Sequence, residues 1–279
     1  MSRRPAHRAG AGDVPGGRFG TVIFDCDSTL SAIEGITELA RAHREEILAL
    51  TDDAMNGRVP LEEVYGRRLE IIRPCRADLD ALAVRYADAA LPDARAVVSA
   101  LHREGVDVRV LSGGLLPAVT AFARQLGIDA DHVGAVHVVF DASGAYAGFD
   151  RASPLTVSGG KAVIVRHWRA TLRAPVMLVG DGITDLEAAD EVDLFVAFAG
   201  VIERASVAAA ARVVVRDRSL APVLALALGE HPPAHDGDRA LYDAGRARLR
   251  DAMRDDDADV ALGAPPGPPE RSPTRSGSS

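Results

Sequence analysis

A pair of aspartates near the start of the chain is the feature best suited to chemistry. Asp25 and Asp27 directly follow residues 21–24, a short apolar run of β-favouring side chains that predicts a buried parallel strand. Side chains two residues apart on extended backbone point the same way, and two like charges held together are costly unless a cation or a shared proton relieves them. The pair therefore indicates a ligand site at the end of this strand. For this segment alone, an acidic turn that caps the next helix is the alternative.

A second acidic turn lies far downstream. Residues 176–179 form another apolar run, and the segment Gly180-Asp181-Gly182-Ile183-Thr184-Asp185 follows it. If both strands belong to one parallel sheet, the four carboxylates of the two turns meet at its carboxyl edge. Such a cluster repels itself unless a divalent ion is bound, and hard oxygen ligands suit magnesium. The two turns together predict a Mg²⁺ site.

Two further segments complete a site for a phosphate group. Residues 107–111 predict a third strand, and Ser112-Gly113-Gly114 follows it. The hydroxyl and the backbone amides of this turn can approach an anion closely, and the next helix adds its N-terminal dipole. Lys161 lies at the start of another predicted helix. Taken alone it is a solvated surface charge, but facing the carboxylates it would hold the nucleophile and the phosphoryl group together.

These segments resemble the four ordered motifs of the haloacid dehalogenase-like phosphatases. The matching residues are Asp25-Cys26-Asp27-Ser28-Thr29, Ser112, Lys161 and Gly180-Asp181-Gly182-Ile183-Thr184-Asp185. Within that superfamily the chain resembles the phosphoserine phosphatase subgroup. This closer likeness is carried by residues 27–30, 34–40, 54–57, 67–69, 112–114, 158–161 and 180–188. The resemblance runs from about residue 20 to about residue 228.

The resemblance implies phosphoryl transfer in two steps. Asp25 is expected to be the nucleophile that forms an aspartyl-phosphate. Asp27 is expected to protonate the leaving oxygen and later to deprotonate the attacking water. The resemblance also implies that the Asp25 carboxylate, the Asp27 backbone carbonyl and Asp181 hold Mg²⁺, with Asp185 just behind them. Lys161 is expected to take part in catalysis.

The resemblance also implies how a substrate is held. The residues expected to contact the phosphate oxygens are Ser112, the Gly113 amide, Thr184 and Lys161. Residues 31–90 predict a helical cap that covers the metal and excludes water. In this cap Glu34 would pair with a substrate ammonium, Arg68 with its carboxylate, and Met55 would supply an apolar wall. Each has an ordinary alternative: a first-turn helix acid, a surface arginine and a core methionine.

The predicted fold is an α/β, doubly wound parallel (Rossmann-like) sheet with a small helical cap inserted after the first strand, because strands alternate with helices. A β-hairpin is predicted over residues 136–140 and 146–149. The predicted parts are a disordered N-terminal segment 1–19, a phosphatase core 20–30 and 91–228, the cap 31–90, and a mostly disordered acidic, Pro- and Ser-rich tail 229–279 with room for a short helix over 241–253.

Composition narrows the class of protein. At 279 residues and 47% apolar content the chain can bury one sizeable core and a small cap. A net charge of −8 argues against nonspecific binding to nucleic acid or to anionic membrane. Cys26 and Cys75 make no disulfide framework, and no run reaches membrane-spanning length. The expected location is the cytoplasm, and the sequence does not reveal the oligomeric state.

The prediction is a magnesium-dependent phosphomonoesterase that acts on O-phospho-L-serine in serine synthesis. Leu61 and Leu115 stand where aromatic residues are frequent in the subgroup, and Thr184 replaces a frequent asparagine. These changes bear on the shape of the substrate pocket. One alternative keeps the chemistry but changes the substrate to another small phosphate ester, such as phosphoethanolamine or a phosphorylated, sugar-like metabolite. The other alternative is a non-catalytic binding module with the same fold.

Overall fold

The computed structural model describes residues 17–40 and 43–262, and side chains as far as residue 251. Most of the predicted disordered segment 1–19 (residues 1–16) and the end of the predicted tail (263–279) lie outside the described residues, whereas Phe19 is buried and its N–H donates to the Ala227 carbonyl at 2.7 Å, so the predicted disorder does not extend to it. The strands are β1 (Thr21–Phe24), β2 (Asp107–Leu115), β3 (Val133–Val136), β4 (Val138–Phe140), β5 (Tyr146–Phe149), β6 (Val176–Gly180), β7 (Leu194–Phe198) and β8 (Val213–Val215). The helices are α1 (Gly35–Leu39), α2 (Arg44–Met55), α3 (Leu61–Ile72), α4 (Arg76–Asp88), α5 (Ala94–Arg103), α6 (Leu116–Leu126), α7 (Gly160–Trp168), α8 (Ile183–Leu186), α9 (Ala205–Ala210), α10 (Ala221–Leu228) and α11 (Asp236–Leu262).

Six strands form one parallel sheet in the order β3-β2-β1-β6-β7-β8. The central strand β1 is buried throughout and pairs on one side with β2 and on the other with β6. Strands covered by helices on both faces are apolar along their whole length, which explains why β1, β6 and β7 have no polar face. The predicted doubly wound α/β sheet is confirmed.

The register of β1 fixes where the acidic turns lie. Phe24 pairs with Val110 of β2 and with Val179 of β6. Asp25 therefore follows at the level where β6 reaches its carboxyl end, whereas β2 continues past this level through Ser112 to Leu115. Parallel strands in register bring the residues that follow them to one edge of the sheet.

Helices α1–α4 form the segment between β1 and α5. The chain leaves and re-enters the sheet layer at one place, because Ser31 and Ala90 form an isolated antiparallel bridge. Backbone hydrogen bonds on both sides of this bridge, from Ala32 to Ala89 and from Leu91 to Leu30, are 2.8 Å and 3.0 Å long. The division into a core (20–30 and 91–228) and a cap (31–90) is our proposal, and this paired crossing supports it.

The predicted hairpin needs one correction. The two-stranded antiparallel sheet is made of β4 and β5, but Val136 belongs to β3, which is an edge strand of the main sheet. Residues 133–140 are almost all apolar or small, so the sequence alone does not show that the strand is interrupted at His137. Gly134 in β3 lets the ring of Trp168 approach, because a Cβ there would lie 2.9 Å from it.

The tail contains more helix than the sequence predicted, because residues 236–262 form the helix α11, which includes the short helix expected over 241–253 and extends beyond it at both ends. The helix is highly charged, but it packs extensively against α10. Tyr242 is buried and donates a hydrogen bond of 2.6 Å to the Gly229 carbonyl. Gly245 lies so close to the Ala221 carbonyl that a Cβ would be 2.0 Å from it. Composition pointed to disorder because the segment is rich in charged residues, and composition does not show its packing against α10. No helix among the described residues is both long and apolar enough to cross a membrane.

Candidate active site

Asp25 and Lys161 form a buried ion pair at the carboxyl edge of the sheet. Lys161, in the first turn of α7, places Nζ 2.8 Å from Asp25 Oδ1 and 2.7 Å from Asp185 Oδ1. Its side chain is only 4% exposed. Burial by itself lowers the pKa of Lys161, but the two paired carboxylates outweigh burial and raise that pKa. The lysine therefore stays charged and faces the carboxylates rather than solvent.

Three carboxylates lie close enough together to hold a metal ion. One oxygen from each of Asp25, Asp181 and Asp185 lies within 4.8 Å of the others, and all three residues are buried. Burial, followed by the negative charge of Glu34, raises the pKa of Asp181 well above its ordinary value. Burial also raises the pKa of Asp185 to about 7, against the opposing effect of Lys161. Buried carboxylates that lie close together do not readily all ionise, because their negative charges repel one another. A bound hard cation offsets this repulsion, so the three carboxylates are suited to bind one.

The three carboxylates are not equivalent. Asp185 is fully buried, and its two oxygens already accept hydrogen bonds from Lys161 (2.7 Å) and from the backbone N–H of Gly182 (3.1 Å). Asp25 and Asp181 line the cleft above it. In this arrangement Asp185 lies beneath the other two. Among the described residues, the cluster that could hold a metal ion consists of Asp25, Asp181 and Asp185, and the Asp27 carboxylate does not belong to it.

Asp27 is held by three donors. Its Oδ1 accepts hydrogen bonds from the Gly35 N–H (2.5 Å) and from the Tyr86 hydroxyl (2.8 Å), and its Oδ2 accepts one from Ser112 Oγ (3.2 Å). Burial and then the neighbouring carboxylate charges, that of Glu34 first, raise the pKa of Asp27 to about 7, although the Gly35 and Tyr86 hydrogen bonds lower it. A carboxyl group with a pKa near neutrality can both give and take a proton, as general acid–base catalysis requires.

The turn that carries both aspartates is tightly bent. Ser28 adopts a left-handed conformation (φ +51°), and the backbone N–H groups of Leu30 and Ser31 both donate to the Cys26 carbonyl at 3.0 Å. Cys26 is fully buried in the core, and burial raises the pKa of its thiol well above the ordinary value. The neutral thiol therefore takes no part in the cleft between the aspartates.

The predicted site residues come together in one cleft between the sheet edge and helices α1–α3. Those that line it are Asp25, Asp27, Glu34, Met55, Arg68, Gly113, Lys161, Asp181 and Thr184. Ser112 and Asp185 are completely buried beneath the cleft. Ser112 is oriented by the Gly114 N–H, which donates to its Oγ at 2.9 Å. Leu61, which stands at a position where the subgroup often has phenylalanine, is also part of the lining.

Arg68 points into the cleft and has a hydrogen-bond donor without a partner among the described residues. It is 3% exposed, and its Nη1 donates to Thr51 Oγ1 at 3.0 Å. Its guanidinium carbon lies 5.3 Å from the centre of the Tyr65 ring. Its buried Nε has no hydrogen-bond partner among the described residues. A buried donor without a partner is costly, so this group is suited to an anionic ligand.

The sequence did not single out Arg204, which precedes α9. Its Nε donates to Asp181 Oδ2 at 3.0 Å, and its Nη2 lies 3.5 Å from Glu34 Oε1. Nη2 is buried and, within the described part of the chain, has no hydrogen-bond partner. Glu34 Oε1 also accepts a 2.8 Å hydrogen bond from Ser28 Oγ. One signal was available: Arg204 lies in the loop after β7, the strand beside β6, and therefore at the same edge of the sheet.

Two tyrosines were missed as well. Tyr65 lines the cleft and donates a 2.9 Å hydrogen bond to the Gly113 carbonyl. It lies three residues before Arg68 on α3, a spacing that puts both on one helix face, so the helical pattern was the available signal. Tyr86 is the buried hydroxyl that contacts Asp27. Nothing in the sequence around Tyr86 marked it.

Comparison with known proteins places this geometry in a family. The model of the haloacid dehalogenase-like hydrolases matches residues 22–190. The chain is 35% identical over 189 residues to the phosphoserine phosphatase of Bos taurus, covering 67% of this chain and 84% of that protein. It is 36% identical over 193 residues to the chloroplastic phosphoserine phosphatase of Arabidopsis thaliana, covering 67% and 65%.

A solved structure shares the fold. The phosphoserine phosphohydrolase-like protein of Francisella tularensis subsp. tularensis SCHU S4 superposes with a TM-score of 0.66 at 24% identity, covering 71% of this chain and 95% of that one. At that identity the superposition establishes the fold alone, and the sequence matches carry the assignment. The chain therefore belongs to the haloacid dehalogenase-like hydrolases and, within them, to the phosphoserine phosphatase subgroup.

Proposed function

We propose that this protein is a magnesium-dependent phosphoserine phosphatase, which hydrolyses O-phospho-L-serine to L-serine and phosphate through an aspartyl-phosphate. The observation that carries the proposal is the cleft itself. A carboxylate paired with a buried lysine lies beside a second carboxyl group whose pKa is about 7, Asp27, and an arginine with an unpartnered N–H faces them. The names of the relatives agree with this substrate.

In the first step Asp25 attacks phosphorus and the bond to the serine oxygen breaks. Asp27 gives its proton to that oxygen, so that serine leaves as a neutral alcohol. Lys161, 2.8 Å from Asp25, keeps the nucleophile ionised and reaches the non-bridging oxygens. Ser112, the Gly113 amide and Thr184 hold the remaining phosphate oxygens. Splitting the reaction in two replaces one difficult displacement by two easier ones.

In the second step water attacks the aspartyl-phosphate. Asp27, now ionised, takes a proton from the water as its oxygen bonds to phosphorus. The bond between phosphorus and Asp25 breaks, which regenerates both aspartates in their starting states. Helices α1–α3 over the cleft limit the access of other water molecules.

The site is built for a metal ion, and we propose that the ion is Mg²⁺. The Asp25 and Asp181 carboxylates and the Asp27 backbone carbonyl would hold it, while Asp185 fixes Lys161 beneath them. The donor chemistry fits, because carboxylate oxygens converge, and burial first and then the neighbouring negative charges raise the pKa values of Asp181 and Asp185. When bound, the cation lets an anionic nucleophile approach a phosphate dianion and offsets charge in the transition state.

Selectivity for serine phosphate is assigned to the cap. Arg68 pairs with the substrate carboxylate through its free donor, and Glu34 pairs with the ammonium group. Met55 and Leu61 provide the apolar wall between the two charged groups. The reaction places the enzyme in serine biosynthesis, its partner is a small phosphate ester, and its cytoplasmic location stays a prediction.

The test is phosphate release by the purified protein from a panel of small esters, with and without a chelator. The panel contains O-phospho-L-serine, phosphoethanolamine and glycerol phosphate, and Mg²⁺, Mn²⁺ and Ca²⁺ are added back separately. Release that is fastest with phosphoserine, lost with chelator and restored by Mg²⁺ supports the proposal. A preference for another ester would support the phosphatase chemistry but reject phosphoserine as the substrate. Asp25→Asn is the control for a contaminating phosphatase.

A further inference from the structure

Tyr86 is a buried tyrosine whose ring and hydroxyl have separate partners. It lies near the end of α4 and is fully buried. Its ring stacks on Phe122 of α6, with centroids 5.6 Å apart and planes 18° from parallel. Its backbone carbonyl accepts a 3.0 Å hydrogen bond from Ser31 Oγ. The ring is therefore held from a core helix, and its orientation does not depend on the cleft.

The hydroxyl of Tyr86 reaches Asp27. It donates a 2.8 Å hydrogen bond to Oδ1, the oxygen that also accepts from the Gly35 N–H. The hydroxyl occupies the space that a side chain at position 35 would need, because a Cβ on Gly35 would lie 1.9 Å from it. Glycine at this position thus admits both donors to one carboxylate oxygen.

Two donors on Oδ1 leave the other oxygen for chemistry. An oxygen that already accepts two hydrogen bonds has no lone pair directed at a third partner. The Oδ2 atom accepts a single bond of 3.2 Å from Ser112 Oγ, and Asp27 lines the cleft. Oδ2 is consequently the oxygen of Asp27 left for proton transfer, on the side of Ser112 and Gly114.

We propose that Tyr86 is a positioning residue for the acid–base step: its hydroxyl fixes Asp27 so that Oδ2 presents the proton to the leaving oxygen. The inference rests on the proposed function. In the first transfer the Oδ2 proton moves to the serine oxygen as its bond to phosphorus breaks. In the second, Oδ2 takes a proton from the water that displaces Asp25. Tyr86 itself exchanges no proton and touches no substrate atom.

The test is Tyr86→Phe, which keeps the ring stacked on Phe122 and removes one oxygen. Proton donation matters for serine, which without it would have to leave as a strongly basic alkoxide, and hardly for p-nitrophenolate, which is weakly basic. Because general acid catalysis supplies about 10²–10⁴-fold, kcat/KM for phosphoserine should fall roughly 10- to 100-fold. Most of the loss should lie in kcat, with KM within about twofold. For p-nitrophenyl phosphate kcat/KM should stay within about threefold of wild type, since this parameter reports the first transfer.

The matched control is Tyr242→Phe, which removes a buried tyrosine hydroxyl from a 2.6 Å hydrogen bond far along the chain in α11. It should leave both esters unaffected, and thermal unfolding shows whether each variant is folded. Equal losses on both esters in Tyr86→Phe indicate a merely structural role and overturn the inference, as does an unchanged rate with phosphoserine. Wild-type protein that hydrolyses neither ester overturns the proposed function, and this inference with it.

Discussion

Replacing Arg68 by methionine should separate recognition of the substrate carboxylate from phosphoryl transfer. Arg68 is 3% exposed, and its Nε is a buried donor without a partner among the described residues. The methionine fills a similar volume against the Tyr65 ring. Thr51, which loses the Arg68 hydrogen bond, keeps its own 2.9 Å bond to the Ile47 carbonyl. The substitution therefore removes the charge of Arg68 and leaves the Thr51 hydroxyl hydrogen-bonded.

The size of the effect follows from the hydrogen bonds that the guanidinium offers. A hydrogen bond to a charged group contributes about 1.5–3 kcal/mol, so a two-pronged contact with a carboxylate contributes roughly 3–6 kcal/mol. Each 1.4 kcal/mol is a factor of ten, and kcat/KM for phosphoserine should fall about 10²–10⁴-fold. Phosphoethanolamine has no carboxylate, and its kcat/KM should change by less than about threefold. Because Arg68 is a countercharge for the buried carboxylates of Glu34 and Asp27, its removal should lower the thermal midpoint of the metal-free protein.

The assay is continuous phosphate release with both esters, from which kcat/KM is obtained for each variant. Arg67→Met is the matched control, since Arg67 is the next residue on α3 but is exposed and pairs with Glu46 at 2.9 Å. It should leave both esters unaffected. An equal loss on the two esters in Arg68→Met would refute the assignment of Arg68 to the carboxylate.

Three other changes test the rest of the site. Asp25→Asn should abolish phosphate release and the acid-stable label that phosphoserine carrying ³²P leaves on the protein, and a label that persists would place the nucleophile elsewhere. Raised pKa values of about 7 for Asp27 and Asp185 mean that folding favours their protonated forms, so the metal-free protein should lose stability as pH rises from about 4 towards 7. The gain in thermal midpoint on adding Mg²⁺ should accordingly grow between pH 5 and 8, and a constant gain contradicts the electrostatic argument. Arg204→Met should lower the free energy of unfolding, measured in chelator, by about 3–5 kcal/mol, because it leaves buried Asp181 without its ion pair. In denaturant titrations, Mg²⁺ should restore part of the lost stability. An unchanged midpoint would show that the ion pair is dispensable.

The amino-acid sequence determined the core of the site because its chemistry directly follows strands. Asp25, Ser112 and Asp181 each come one residue or a short turn after an apolar run, and parallel strands in register end at one edge. Their approximate positions thus need no knowledge of how side chains pack. The parallel sheet itself follows from the same alternation of strands and helices. Family motifs extended this reasoning to Glu34 and Arg68.

Only the tertiary structure decided which other side chains meet those residues. Arg204 and Tyr86 lie in segments without a motif, and they reach the cleft because packing of a loop and of α4 points them there. Helix α11 is a similar case, since its packing against α10, including the Tyr242 hydrogen bond, orders a segment whose composition predicted mostly disorder with a short helix. Local spacing determines which side chains lie at the end of a strand. Contacts between residues distant in sequence depend instead on how the chain packs and on the hydrogen bonds that buried polar groups require.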